Sequence, residues 1–220
     1  MILTKLTPTL AGAAGLALIA SPALAVPCTV TVTGNPSGDY TMTATAAGST
    51  VLTVSGGSVT CASSTFDAVV HADASTTGNG VVEVDPAVYG TLPPRFSGCT
   101  FGSFPATVSV SNPHWDFNVT GGNTSGTTDV VTGTLTNLSA VHVAVTGPLG
   151  NCAFDVGGSL GGTFTETTQQ LDVTGSSLTV SNLSSPLGCL GLVTNGGAAS
   201  LAASYGTSVA GVSAPAINIS

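Results

Sequence analysis

An all-β chain folded as an antiparallel two-sheet β-sandwich is what this sequence predicts, with a closed β-barrel as the alternative. Three observations carry the prediction. Apolar and polar residues alternate with period two in run after run, Gly- and Pro-bearing turn signals separate the runs about every 8 to 12 residues, and Val and Thr dominate them. Val and Thr are stiff about χ1 and pack well on a half-buried pleated surface, so their abundance is structural first. No comparable stretch has helical spacing.

Thr29-Val30-Thr31-Val32-Thr33 opens the series of strands. Residues 40–46, 50–54 and 66–72 follow, then 107–111, 115–120 and 130–138, each with one apolar and one polar face. Val141-His142-Val143-Ala144-Val145 and residues 171–174, 178–181, 201–205 and 217–219 complete it. Turns are expected at Gly34-Asn35-Pro36, Gly56-Gly57, Gly121-Gly122-Asn123, Gly147-Pro148, Gly161-Gly162 and Gly196-Gly197. Residues 88–105 lack alternation and hold Pro93-Pro94 with four aromatics, Tyr89, Phe96, Phe101 and Phe104. A loop this long is expected to be functional.

Ahead of the strands lie Lys5, an apolar run over residues 10–19, Pro22 and the small-residue ending Ala23-Leu24-Ala25. That is the layout of a secretory signal peptide over residues 1–25, with cleavage before Val26. The remainder, residues 26–220, has the length of one sandwich domain. The run at 10–19 is too short for a permanent span and no later stretch offers about eighteen uninterrupted apolar residues, so no transmembrane segment is expected after signal removal. A secreted protein, extracellular or associated with the cell envelope, is the expectation.

Lys5 and Arg95 are the two cations against ten carboxylates. Nucleic acid and anionic lipid both need clustered Lys and Arg, so neither is an expected partner. Charged residues are 5% of the chain, and the 42% hydrophobic content argues for a packed core rather than disorder. Sheet edges without lysine invite self-association, with net negative charge as the main protection. Envelope or surface components are the other partners considered.

Five cysteines, at 28, 61, 99, 152 and 189, show no C-x-x-C and no adjacent His, which argues against a zinc site. Export makes disulfides the better reading. With one cysteine left over, fifteen arrangements are open. Nearest-neighbour pairing, Cys61 to Cys99 and Cys152 to Cys189, keeps each bridge within one half of the chain. Cys28, near the mature terminus where chains fray, is the odd one.

Gly157-Gly158-Ser159-Leu160-Gly161 matches G-x-S-x-G, yet His71, His114 and His142 all precede it and no helical pattern follows, so a turn is the better reading. His71 with Asp73, and His114 with Asp116, have the i, i+2 spacing of a possible metal clamp. No third ligand is spaced to complete either, and solvated polar residues are favoured there and at His142; no metal and no cofactor is expected. Glu83 and Asp85 share a strand face as neighbours rather than flanking a bond from two sides, which disfavours a glycosidase pair and favours solvation. Arg95 beside Phe96, with Tyr89, Phe101 and Phe104 nearby, is the ligand-binding candidate: a guanidinium that holds a carboxylate or acidic sugar by paired hydrogen bonds. A structural role for Arg95, holding the loop, is favoured over it. Trp115 alternates with Phe117 and Val119 and is assigned to the core.

Cys61, Phe96-Ser97-Gly98-Cys99, Trp115, Cys152, Gly188-Cys189-Leu190-Gly191 and Tyr205 ahead of Pro215 form an ordered pattern. It resembles a group of secreted actinobacterial proteins to which no activity is assigned. The resemblance implies an exported protein and transfers no functional residue.

The function expected from these readings is a non-enzymatic structural, adhesive or interaction module. A small-ligand or carbohydrate-binding module using residues 88–105 is the first alternative, and a secreted hydrolase the second.

Overall fold

The computed structural model describes residues 28–35, 37–76, 79–123, 129–148, 150–213 and 216–220. The expected signal segment and the cleavage site before Val26 lie outside the described residues, as does Pro36 of the first turn signal. The described chain is all-β and antiparallel, as expected. Its strands are β1 (Cys28–Val32), β2 (Ser37–Ala46), β3 (Thr50–Val54), β4 (Gly57–Thr76), β5 (Val82–Val84), β6 (Arg95–Phe101), β7 (Phe104–Val110), β8 (Trp115–Asn123), β9 (Val130–Gly147), β10 (Gly150–Thr165), β11 (Gln170–Ser181), β12 (Ala198–Val209) and β13 (Ile217–Ile219). One helical turn, α1 (Pro86–Tyr89), follows β5.

All thirteen strands belong to one hydrogen-bonded sheet. Its pairings return on themselves: β9 bonds β10, then the order runs β11, β12, β2, β4, β5 and β8, which bonds β9 again. Further along the same long strands the circuit is completed differently. There β3 replaces β2 between β12 and β4, while β6 and β7 replace β5 and β8 between β4 and β9. Five long strands therefore run through both parts of one closed wall. Where a sandwich leaves two sheets separate, hydrogen bonding here continues around the core.

Period two decides which face turns inward. In β10 every second side chain from Cys152 to Val156 and from Leu160 to Phe164 is buried, and Phe154 is fully so. In β12 the same holds for Ala203, Tyr205, Thr207 and Val209. The opposite face of β2 presents Thr41, Thr43 and Thr45 to solvent.

Four differences from the sequence reading have physical causes. Residues 130–138 and 141–145 are one strand, and so are 171–174 and 178–181, because the register shifts within β10–β9 and β11–β12 and slips the alternation without ending the strand. Gly161-Gly162 is no turn but lies inside β10, and Gly121-Gly122-Asn123 lies inside β8. The reason is close approach: a Cβ on Gly122 would lie 2.7 Å from the Val130 carbonyl oxygen, and one on Gly162 would lie 3.1 Å from the Phe117 ring. Ser159 likewise sits in β10 beside a register shift, not on a turn. Residues 88–105 are not a long loop, since β6 and the start of β7 form within them.

The disulfides join Cys61 to Cys99 and Cys152 to Cys189, the pairing expected. Cys61 and Cys99 face each other in the β4–β6 register, whereas Cys189 ties the irregular stretch before β12 to β10. Cys28 is not frayed: it is buried in β1, opposite Thr76. The β1–β13 ribbon is held by the turn between β10 and β11. Gln169, 3% exposed, donates to the Ile217 carbonyl and accepts from the Ala216 and Ile217 amides, while Glu166 accepts from the Ile219 amide and Asn218. Burial raises the Glu166 carboxyl above its ordinary value against the pull of those donors.

Candidate functional site

The densest polar cluster forms where β2, β4 and β5 meet α1. His71 on β4 donates through Nδ1 to Asp39 Oδ1 of β2 at 2.8 Å, and its Nε2 lies 3.5 Å from Glu83 Oε2 of β5. Tyr89, the last residue of α1, donates to the same Glu83 oxygen at 2.6 Å and stands 3.3 Å from His71 Nε2. The hydrogen bond to Glu83, burial and nearby carboxylate charge all raise the phenol above its ordinary value.

One residue past β5 the chain turns into α1, and Asp85 caps it. Its Oδ1 accepts from the Ala87 and Val88 amides at 3.0 and 3.1 Å, and Gly90 closes the turn in the left-handed region. Asp-Pro at the start and Gly at the end are the sequence signals of a short helix. Asp85 Oδ2 meets His114 Nδ1 at 2.5 Å. That hydrogen bond depresses the Asp85 carboxyl and raises the His114 imidazole.

The i, i+2 spacing does not describe the His114 contact, although its side chain is exposed as expected. His114 bonds Asp85, and Asp116 instead accepts from Asn137 at 2.5 Å. Glu83 and Asp85 do not share a solvated face, because β5 ends at Val84 and Asp85 is 7% exposed as a cap. His142 is exposed, as expected, but bonds its cross-strand neighbour Asp155 at 2.7 Å. Burial pushes the Asp155 carboxyl up, yet the donors Asn182 and His142 outweigh it and leave it below its ordinary value. Asp39 and Asp155 carried no local signal, since each gains its histidine partner only through strand register.

The Arg95 group is dispersed. Arg95 is exposed at the start of β6 opposite Thr65, and Phe101, 2% exposed, is core. Phe96 and Phe104 are partly buried against the core, and Tyr89 belongs to the His71 cluster. Trp115 is buried, as expected. Among the described residues no group of three or more His, Cys, Asp or Glu is arranged to hold a metal ion, and no helix is long and apolar enough to cross a membrane.

The His114–Asp85 pair gives a measurable consequence. His114 is expected to titrate above its ordinary 6.5 by NMR, and to return towards 6.5 in Asp85→Asn. Because its folded value is raised, the stability it contributes is fully present below pH 6.5 and is lost as pH rises through the folded value. An unshifted His114 in the parent protein contradicts the assignment.

No protein-family model, curated protein or solved structure matches this chain.

Proposed function

We propose that this chain is an exported, non-enzymatic module of the extracellular space or cell envelope that works by contact, as a structural, adhesive or partner-binding part. One observation carries this reading: the histidines are spent on the sheet itself. His71, His114 and His142 each bond a carboxylate on a neighbouring element, so each imidazole cross-links parts of the wall. Export is supported by the layout of residues 1–25 and by the disulfides, which persist in oxidising compartments.

β13, three residues long, has a single strand neighbour, and β6 and β7 pair with each other only at Thr100–Pro105 and Phe101–Phe104, so the facing edges of residues 95–99 and 106–110 carry no ladder pairs. Exposed Thr41, Thr43 and Thr45 make a hydroxyl-bearing surface beside the carboxylates of Asp39 and Asp67.

Fractionation of the source culture with intact-mass analysis tests the reading. The expected result is a chain beginning at Val26 in the medium or wall fraction. A form that retains Lys5 in the cytoplasm, or turnover of an ester, glycoside or peptide substrate, argues against it. Light scattering from pH 7 towards the sequence pI near 4.2 then tests self-contact, which should grow as carboxylates are neutralised.

A further inference from the structure

His71 Nε2, Glu83 Oε2 and Tyr89 Oη form a triangle with edges of 3.5, 2.6 and 3.3 Å. One corner comes from β4, one from β5 and one from α1, so the three meet only in the folded wall. Bonds of about 2.0–2.2 Å to a common metal ion place neighbouring donor atoms roughly 2.8–3.6 Å apart. Two edges already have that length. The third is drawn in by the proton that Tyr89 gives to Glu83.

Proton placement supplies an independent observation. The Asp39 carboxylate can only accept, so its hydrogen bond at 2.8 Å puts an imidazole proton on Nδ1 of His71. In the neutral ring Nε2 is then a lone pair. Tyr89 has a single O–H, which goes to Glu83, and Nε2 faces two oxygens that offer it no proton. Histidines that ligate metals are held in this way, with the other ring N–H on a carboxylate. The His71 and Glu83 side chains keep 24% and 26% of their accessible surface, which leaves the triangle within reach of an ion and its waters. Asp85 and Gly90 fix the turn that carries Tyr89.

We infer that His71, Glu83 and Tyr89 form a binding site for one divalent transition-metal ion, with Asp39 orienting the imidazole. An imidazole nitrogen selects this class over calcium and magnesium, which take oxygen donors. The i, i+2 spacing on β4 holds no such set, because the second and third ligands come from β5 and α1. When the ion binds, the Tyr89 proton leaves to solvent, and carboxylate and phenolate together balance the divalent charge. The ion ties β4, β5 and α1 together. This clamp goes beyond the proposed contact role, and neither depends on the other.

Copper(II), which heads the affinity order of its class, is the probe. Copper(II) chloride is titrated into the oxidised full-length exported protein in a non-chelating buffer and followed by visible absorption. Expected is saturation at one ion per chain, with a phenolate-to-copper charge-transfer band. Tyr89→Phe, which keeps the ring, removes the band and weakens binding about tenfold or more. His71→Gln weakens it likewise, and Glu83→Gln serves if that variant does not fold. His142→Asn is the control and leaves band and affinity unchanged. A band or affinity that survives intact in Tyr89→Phe overturns the site, as does binding lost in His142→Asn, which assigns the copper to an exposed histidine elsewhere. Displacement of the copper by an equal concentration of calcium chloride overturns the choice of metal class.

Discussion

Replacement of both Cys61 and Cys99 by alanine is expected to lower stability by about 4 kcal/mol, and loss of Cys152–Cys189 by a similar amount. The bridges close loops of 38 and 37 residues, and in the chain-entropy account the cost of losing one grows with the logarithm of loop length. Against a total stability of about 5–15 kcal/mol, reduction of both brings the protein near the edge of unfolding. Urea denaturation of oxidised, reduced and alanine-substituted protein measures it. The two bridges should differ in hydrogen exchange. Cys61–Cys99 joins strands already paired by backbone bonds, so its loss is expected to act globally. Cys152–Cys189 anchors residues 182–197, where Leu187 is 75% exposed, and its loss is expected to release that stretch first. Equal midpoints for oxidised and reduced protein contradict the stapling role.

Gly133→Ala is the second large effect, a loss of about 3 kcal/mol from a single methyl group. The new Cβ would stand 2.3 Å from the Phe117 ring and 2.7 Å from the Asn118 carbonyl oxygen. Phe117 is 4% exposed, so the ring has little room to retreat, and a backbone carbonyl yields less readily still. Phe117→Leu in the same chain should recover part of the loss, giving a coupling of about 1 kcal/mol or more in a double-mutant cycle. Gly206→Ala is the control, because nothing lies within 4 Å of its added Cβ; stability there should hold or rise slightly. Equal effects at Gly133 and Gly206 would show that the ring does not occupy the space above Gly133.

These two results separate what was legible from what was not. The disulfide pairing follows from cysteine order along the chain, nearest neighbour to nearest neighbour. The Gly133–Phe117 fit does not, because Gly133 and Gly162 in sequence look like weak points or turns. Only when β8, β9 and β10 lie side by side does a ring cover the missing side chains. The outer cluster behaved the same way. His71 and His114 stood out as titratable groups, yet their carboxylates, Asp39 and Asp85, were assigned by register and by the α1 cap rather than by i, i+2 spacing.

By itself the sequence determined the all-β class, the inward stripes of most strands and the burial of Trp115. These are local properties: alternation of apolar side chains and the stiffness of Val and Thr act within one strand. Tertiary structure alone decided that the sheet closes, that residues 88–105 contribute β6 and the start of β7, and that His71, Glu83 and Tyr89 meet. Each depends on which strand lies next to which and where the register shifts, and a period of two is silent on both. A hydrogen-bonded ladder accepts any strand of suitable length, so the partner is chosen by the side chains that meet across it, such as Cys61 with Cys99 and Phe117 with Gly133.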